Sequence, residues 1–466
     1  MGESKSGTLR STERGNSTMR AGSGARGWLL FIAVACLVPA GAIFADDDVQ
    51  IGGDVRARTE YKRPFNYVVA DGGEPTGDDV SSIRTRLHFH WQPSEAVEVV
   101  LQAQDSRVWG IDSVGDNADP DTDLKQGYIQ LNNLQDQNGF GWLGSSNDVD
   151  VKIGRMNLPT FGDGYIIAAN DWETVSPIAF EGFWIDGEFG GEDFQVDVDV
   201  LWMDFANANP LNGGAIGPAE DTAFYGLQVG SDDLPWVGGE AYYWVINRPK
   251  SVDEQIFGGR LYTQMPEDNF LEDLFVVFEY ALASGERGAQ DVDANFWVVR
   301  GEYDFELFDL PHTVGVGFSH ATGSPNAASD NETWVSPFDL DHDHLGHYDL
   351  VANSNVDDFF ITFKVSPTDT IDLHLDFHMF SLDGEEGGWS TLSAGTVAAG
   401  GTITDDDLGT EVDFYAVCQV FGENELRFGY SNFQPGDAIE DATGGFDDAG
   451  DFFYLQVTVP FGTEEP

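Results

Sequence analysis

Between Val49 and Phe461 apolar and polar residues alternate in short runs, each broken by Gly, Pro, Asn or Asp. A period of two is the mark of a strand whose two faces meet different surroundings. The stretch Ile83-Arg84-Thr85-Arg86-Leu87-His88-Phe89-His90-Trp91 shows it most clearly. Ile83, Leu87, Phe89 and Trp91 share one parity, and Arg84, Arg86, His88 and His90 share the other. Eighteen segments carry such a pattern, at approximately 51–61, 82–92, 96–109, 123–134, 148–158, 180–190, 193–205, 221–231 and 239–248, then 254–264, 272–284, 294–305, 311–321, 357–366, 370–382, 409–420, 424–433 and 451–461. Each is about as long as a tilted strand must be to cross a bilayer. No long segment keeps a helical period.

The links between segments sort by parity. Short ones follow even-numbered segments: around Pro93-Ser94, at Gly190-Gly191-Glu192, from Glu306 to Leu310, at Ser366-Pro367-Thr368-Asp369 and at Phe421-Gly422-Glu423. Long ones, 62–81, 110–122, 159–179, 206–220, 322–356, 383–408 and 434–450, follow odd-numbered segments. The link 135–147 is the exception. A soluble sandwich has no reason for this sorting, whereas an outer-membrane barrel has short periplasmic turns and long outer loops. The expected fold is therefore all-β: a transmembrane antiparallel β-barrel of about 18 strands, forming a single domain over residues 46–466. In the last segment Phe453, Leu455, Val457, Val459 and Phe461 share one face. That face resembles the terminal strand by which bacterial outer-membrane barrels are recognised for insertion; the alternative is the edge strand of a soluble β-domain.

The first 45 residues read differently. Arg10, Arg14, Arg20 and Arg26 precede an apolar run from Trp28 to Val38, and Ala42-Ile43-Phe44-Ala45 follows. This is the pattern of a secretory signal cut after Ala45, too short to span a membrane as a helix. It implies export to the outer membrane of a Gram-negative-type bacterium. Cys36 lies within it and Cys418 on an apolar parity, so the chain beyond residue 45 can form no internal disulfide.

Charge narrows the function. The chain holds 22 Lys+Arg against 81 Asp+Glu, a net charge of −59. Residues 1–45 carry five cations and two anions, so the remainder stands at −62. Nucleic acid is excluded as a partner, because phosphate contacts need clustered cations. The few cations fall on polar parities. Arg56 and Arg58 lie in the first segment, Arg84 and Arg86 in the second, Arg107 at the outer end of the third and Arg155 in the fifth. Arg260, Arg300 and Arg427 come from later segments. A row of guanidinium groups in a channel would hold carboxylate or phosphate groups by charge-assisted, often bidentate bonds. Asp186, Glu188, Asp197, Asp199, Glu240, Glu279, Asp372, Asp376, Glu411 and Asp413 also take polar parity, so the arginines could equally pair with acids across the lumen.

Two loop clusters are candidate metal sites. Asp341, His342, Asp343, His344 and His347 have ligand chemistry suited to a transition metal. Asp119, Asp121 and Asp123 could offer oxygens to calcium, though without the glycine of an EF-hand loop. Solvated loops are the simpler reading of both. No Gly-x-Ser-x-Gly elbow, His-Glu-x-x-His or phosphate loop is present, and Ser319 and His320 point to opposite faces.

Several ordered blocks carry a family resemblance. Arg84-Thr85-Arg86-Leu87, Gln104-Asp105-Ser106-Arg107 and Ile153-Gly154-Arg155 come first, then Phe161-Gly162-Asp163 and Asp171-Trp172. Gly346-His347 with Asp349, Gly409-Thr410-Glu411-Val412-Asp413 and Gly429-Tyr430-Ser431-Asn432-Phe433 follow. In order and spacing they resemble the alginate export family of outer-membrane porins, over nearly all of residues 50–461. The resemblance implies an eighteen-stranded barrel that passes a polyuronate through an arginine-rich pore. It also implies pore-lining roles for Arg56, Arg84, Arg86, Arg107 and Arg155. The leading expectation is a passive, non-enzymatic porin. Its partners would be outer-membrane lipid and small or polymeric anionic solutes such as acidic saccharides, with no cofactor apart from calcium at the acidic loops. The competing readings are a structural or adhesive surface barrel with a plugged lumen and calcium-binding loops, and a barrel hydrolase. The sequence leaves the oligomeric state open.

Overall fold

The computed structural model describes residues 49–64, 78–109, 123–144, 147–168, 179–191, 194–205, 222–248, 251–265, 271–324, 331–338, 341–384, 389–391, 395–397, 403–443 and 445–463. The expected signal sequence lies outside them, as do Asp119 and Asp121. From Asp47 onward the chain forms one compact unit.

The alternating segments become strands, in chain order β1 (Val49–Arg63), β2 (Asp78–Ser94), β3 (Val97–Val108), β4 (Asp123–Leu131), β5 (Asp148–Met156) and β6 (Phe180–Gly191). Then come β7 (Phe194–Phe205), β8 (Ala223–Ser231), β9 (Val237–Arg248), β10 (Val252–Thr263), β11 (Leu274–Arg287) and β12 (Gln290–Leu307). The series continues with β13 (Leu310–Ala321), β14 (Val356–Thr368), β15 (Ile371–Ser381), β18 (Asp407–Val420), β19 (Asn424–Pro435) and β20 (Gly450–Gly462). A separate small hairpin, β16 (Trp389–Thr391) with β17 (Gly395–Val397), sits in the link after β15. The sequence pattern did not show this hairpin.

Among the described residues eighteen strands form one sheet in which each pairs antiparallel with its neighbours in the chain. β1 closes the barrel by pairing with both β2 and β20. Closure leaves no unpaired edge, the condition for a sheet to cross lipid. No helix among the described residues is long and apolar enough to cross a membrane.

Side-chain alternation sets the two surfaces. Leu87, Ile129, Ile153, Phe257, Val316 and Leu455 point outward and form part of an apolar belt. In a water-soluble protein so large an apolar surface would be a liability, but against lipid it is the favourable arrangement. The terminal strand obeys the same rule, with Phe453, Leu455, Val457, Val459 and Phe461 exposed and Phe452, Tyr454 and Gln456 buried inside.

Two long links do not stay at the rim. Residues 157–168, after β5, and residues 331–338 and 341–355, after β13, fold into the barrel. Phe338 packs edge-on against Phe180 of β6 and Phe224 of β8, and Tyr165 packs on Phe296 of β12. Aromatic contacts of this kind add roughly 0.5–1.5 kcal/mol each beyond area burial. The two segments also join each other. Ala168 N donates to Phe338 O at 2.6 Å, and Phe338 N donates to Ile166 O at 3.1 Å.

Candidate functional site

The inner surface has two unlike sides. From β6 round to β12 buried apolar side chains, among them Phe180, Leu201, Phe224, Trp244 and Phe296, pack with the inward-folded segments, and acids such as Glu254 and Glu279 stand among them. From β19 through β20 and β1 to β2 it is basic. Strand register explains how the basic side assembles. Arg427 of β19, Gln456 of β20 and Arg58 of β1 lie side by side in one row. In the next row Arg56 stands directly opposite Arg84 of β2, and in the next Asp54 stands opposite Arg86. Five of the nine predicted arginines, Arg56, Arg58, Arg84, Arg86 and Arg427, are thus brought onto one strip.

These side chains sit among ionic and hydrogen-bonding partners rather than in open water. Arg84 Nη2 reaches Asp54 Oδ1 at 3.2 Å, Arg58 Nε reaches Glu60 Oε1 at 2.5 Å and Arg427 Nε reaches Glu425 Oε1 at 2.6 Å. Arg86 donates Nε to the neutral Gln104 Oε1 at 2.8 Å, and Gln126 donates to Gln102 at 3.2 Å further along the wall. The arginines are held in fixed directions by short partners, as preorganised recognition of an anion requires.

Arg260 and Arg300 occupy the other side, where both meet Asp163 at the tip of the inward-folded segment 157–168. Arg260 Nη2 approaches Asp163 Oδ1 at 2.5 Å, and Arg300 Nη2 approaches Oδ2 at 2.9 Å. Arg260 also reaches Glu240 at 3.4 Å, and Arg300 also pairs with Glu302. Gly162 lets the tip come this close: its φ is +58°, and a Cβ there would stand 2.9 Å from Arg260 Cδ. These two guanidinium groups anchor a loop, and the sequence had no means of pairing them with Asp163.

Two expectations are corrected. Arg107 and Arg155 do not face the lumen. Arg155 shares its strand face with Ile153, which is 52% exposed on the outer surface, and it pairs with Glu181 at 3.1 Å. Arg107 stands opposite the outward Ile83 and is held by Asp105 at 2.7 Å on its own strand face. The physical reason is strict alternation: a residue two positions from an outward Ile153 must itself point outward. Gly154, lacking a side chain, hid that parity in the sequence.

The histidine-rich cluster is also corrected. It was expected in a solvated loop, but the segment folds inward and His342 is only 3% exposed. Asp341–His344 forms a single helical turn. His342 Nδ1 lies 2.7 Å from Asp349 Oδ1. His344 Nε2 donates to the carbonyl oxygen of Asp163 at 2.7 Å while its ring stacks on Tyr165 with centroids 3.8 Å apart. His347 stacks between His342 at 4.5 Å and Tyr415 at 4.4 Å. Asp343 stays exposed. Burial pushes the imidazoles of His342, His344 and His347 down, to about 3, about 4 and about 3. Burial likewise raises Asp349 to about 7, so the His342–Asp349 pair is held toward its uncharged form. Asp123, the described member of the other acidic cluster, begins β4.

The turn after the histidines fastens the segment to the basic side. Tyr348 N donates to Glu411 Oε1 at 2.7 Å, and Tyr348 Oη donates to Pro64 O. Gly346 at φ +83° makes room, since a Cβ would stand 2.6 Å from the Glu411 carboxyl carbon. The ammonium of Lys62 lies 4.9 Å over the Tyr348 ring.

Comparison with known proteins agrees with this geometry. The family described as alginate export matches residues 47–449. The chain belongs to the alginate export family. Its fold is also that of solved outer-membrane channels of Pseudomonas aeruginosa. The outer membrane protein OprD superposes with a TM-score of 0.56 at 10% identity, covering 89% of this chain and 94% of its own. OccK5 (OpdH) superposes at 0.54 and 10% identity, covering 90% and 99%. OccK3 (OpdO) does so at 0.54 and 12%, covering 89% and 96%. No curated protein sequence matches the chain. The family and the barrel make the chain an outer-membrane protein of porin type, with lipid against its outer face.

Proposed function

We propose that the protein is a passive channel for anionic solutes, carboxylate-bearing saccharides among them, and carries out no chemical step. The observation that supports this is the strip of Arg56, Arg58, Arg84, Arg86 and Arg427 on β19–β2. The chain as a whole is strongly acidic, with 22 Lys+Arg against 81 Asp+Glu. Five arginines on one inner strip therefore represent a local reversal of sign. In a narrow, low-dielectric lumen such a reversal raises local anion concentration and turns carboxylates toward one wall. The inward-folded segments would press the solute path toward that wall. The name of the family points to alginate, a polyuronate, as one solute of this class. Secretion through the segment 1–45 and passive rather than coupled transport complete the reading.

The test is ion selectivity in planar bilayers under a salt gradient. Wild type should prefer anions, and Arg84→Ala/Arg86→Ala should lose much of that preference in a barrel that still folds by its heat-modifiable mobility. A cation-selective wild type that the double substitution leaves unaltered would overturn the proposal.

A further inference from the structure

Outside the lumen, one group of side chains has no part in the channel reading. His320 is the penultimate residue of β13, Asp357 the second of β14, and Asp383 follows β15. His320 and Asp357 face each other across the ladder. Both take the outward parity, since their neighbours Val316, Phe359 and Ile361 are exposed to lipid. They stand at the end of the barrel that carries the long links, above an aromatic layer in which the Trp297 ring lies 5.5 Å from His320. One ligand atom from each of His320, Asp357 and Asp383 can be chosen so that all lie within 4.8 Å of one another.

We propose that His320, Asp357 and Asp383 form a divalent transition-metal site that clips the neck of the inward-folded segment. Two ligands about 2.0–2.2 Å from a common zinc-like ion stand roughly 3–3.5 Å apart, so side-chain shifts of at most about 1–2 Å separate the present arrangement from coordination. His320 Nδ1 is already 2.5 Å from Asp357 Oδ1. One imidazole and two carboxylates suit zinc, manganese or nickel. Calcium wants six to eight oxygens and gains little from a ring nitrogen. His320 and Asp357 side chains keep 18% and 26% of their surface open, which leaves positions for water on the metal.

The surroundings show why a metal here would matter. Asp383 is fixed by its own neighbour, as Gly323 N donates to Asp383 Oδ2 at 2.8 Å. Next to it Gly384 N donates to Asn355 Oδ1 at 2.7 Å, and Asn355 Nδ2 donates to Gly384 O at 3.0 Å. These bonds tie together residue 323, where the inward-folded segment leaves the wall, residue 355, where it returns, and residues 383–384, where the next long link starts. A metal on His320, Asp357 and Asp383 joins the same three stretches of chain. It also offsets the charge of two carboxylates gathered beside one imidazole.

The experiment uses the full folded barrel in detergent, stripped with a chelator and titrated calorimetrically with zinc chloride and with manganese chloride. Folding of every variant is checked by its heat-modifiable mobility. The expected result is one site per chain in the micromolar range that weakens at least tenfold in Asp383→Asn and in His320→Gln. His342→Gln, which removes a buried lumen histidine, should bind as wild type does. Absence of binding up to millimolar metal, or binding that survives Asp383→Asn unchanged, would overturn the site. If metal binds but protects neither residue 323 nor residue 384 from amide exchange, the clip is overturned.

Discussion

Asp163 and Arg300 are 137 positions apart in sequence, yet their side chains meet at 2.9 Å inside the barrel. Arg260 reaches the other oxygen of the same carboxylate at 2.5 Å. One acid at a loop tip thus holds two strands' arginines and, through its carbonyl, His344 of the second inward segment. Removing one partner of a largely buried ion pair costs up to about 3–5 kcal/mol, and less here, because Glu240 and Glu302 stay beside the two arginines. Asp163→Ala should therefore release residues 157–168 while the barrel's ladder stays intact. Chymotrypsin should cut at Phe161 or Tyr165 in the variant and spare the wild type, with little change in the temperature at which the barrel unfolds. Equal resistance of both proteins would show that the apolar packing of Tyr165 and Phe338 suffices without the pair.

The three buried histidines make docking of the second segment acid-sensitive. Their folded values of about 3 to 4 lie below the ordinary 6.5, chiefly through burial. Arg58, Lys62 and Arg427 around His342 add to the shift, and Asp343 opposes it. His374 and His378 of β15 push His347 the same way as burial, and Asp413 opposes them. As pH falls below about 6.5 the undocked segment takes up protons that the docked one cannot hold, so docking weakens progressively toward pH 4. Asp349, raised to about 7, works the other way and weakens docking as pH rises from about 4 to 7. Three groups outweigh one, and the net effect is release in acid. Single-channel conductance should become larger or noisier between pH 6.5 and 4, and His342→Gln/His347→Gln should flatten that dependence. A conductance flat over this range in wild type would contradict the argument.

Lipid-facing and lumen-facing positions on one strand should respond oppositely to charge. Phe257 of β10 is 61% exposed on the outer surface, whereas its neighbour Ile256 is fully buried inside. An arginine near the membrane midplane on a barrel's lipid face costs about 2–4 kcal/mol, less toward the interfaces. Phe257→Arg should lower folding stability in vesicles by up to that amount, while Phe257→Leu changes it by less than about 1 kcal/mol. Reversible denaturant titration in lipid reads both values. No difference between the two variants would mean that residue 257 does not meet hydrocarbon.

Removing the outward arginines should leave selectivity alone. Arg107 and Arg155 pair with Asp105 and Glu181 on the face of Ile83 and Ile153. Arg107→Gln and Arg155→Gln should therefore leave the reversal potential unchanged under conditions where Arg84→Ala/Arg86→Ala shifts it. A comparable shift from either outward variant would reverse this assignment of faces.

Much of the barrel was written in the chain. Alternation fixed which residues of β2 face lipid, and the parity of the links fixed which strand ends carry long loops. The same rule, applied strictly to Leu101-Arg107 and Ile153-Arg155, places those arginines outside, although Gly154 carries no side chain to show it. The histidine cluster could not be read, because a loop has no period to show which way it folds.

The sequence by itself determined the barrel strands, their number and the apolar face of β2 and of the last strand, because those depend on neighbours one or two positions away. Only the tertiary structure decided which acid each arginine meets, that residues 157–168, 331–338 and 341–355 enter the lumen, and that His320 joins Asp357 and Asp383. Those relations depend on barrel closure and on links of irregular backbone. Their partners lie tens to more than a hundred positions apart, where no local pattern reaches.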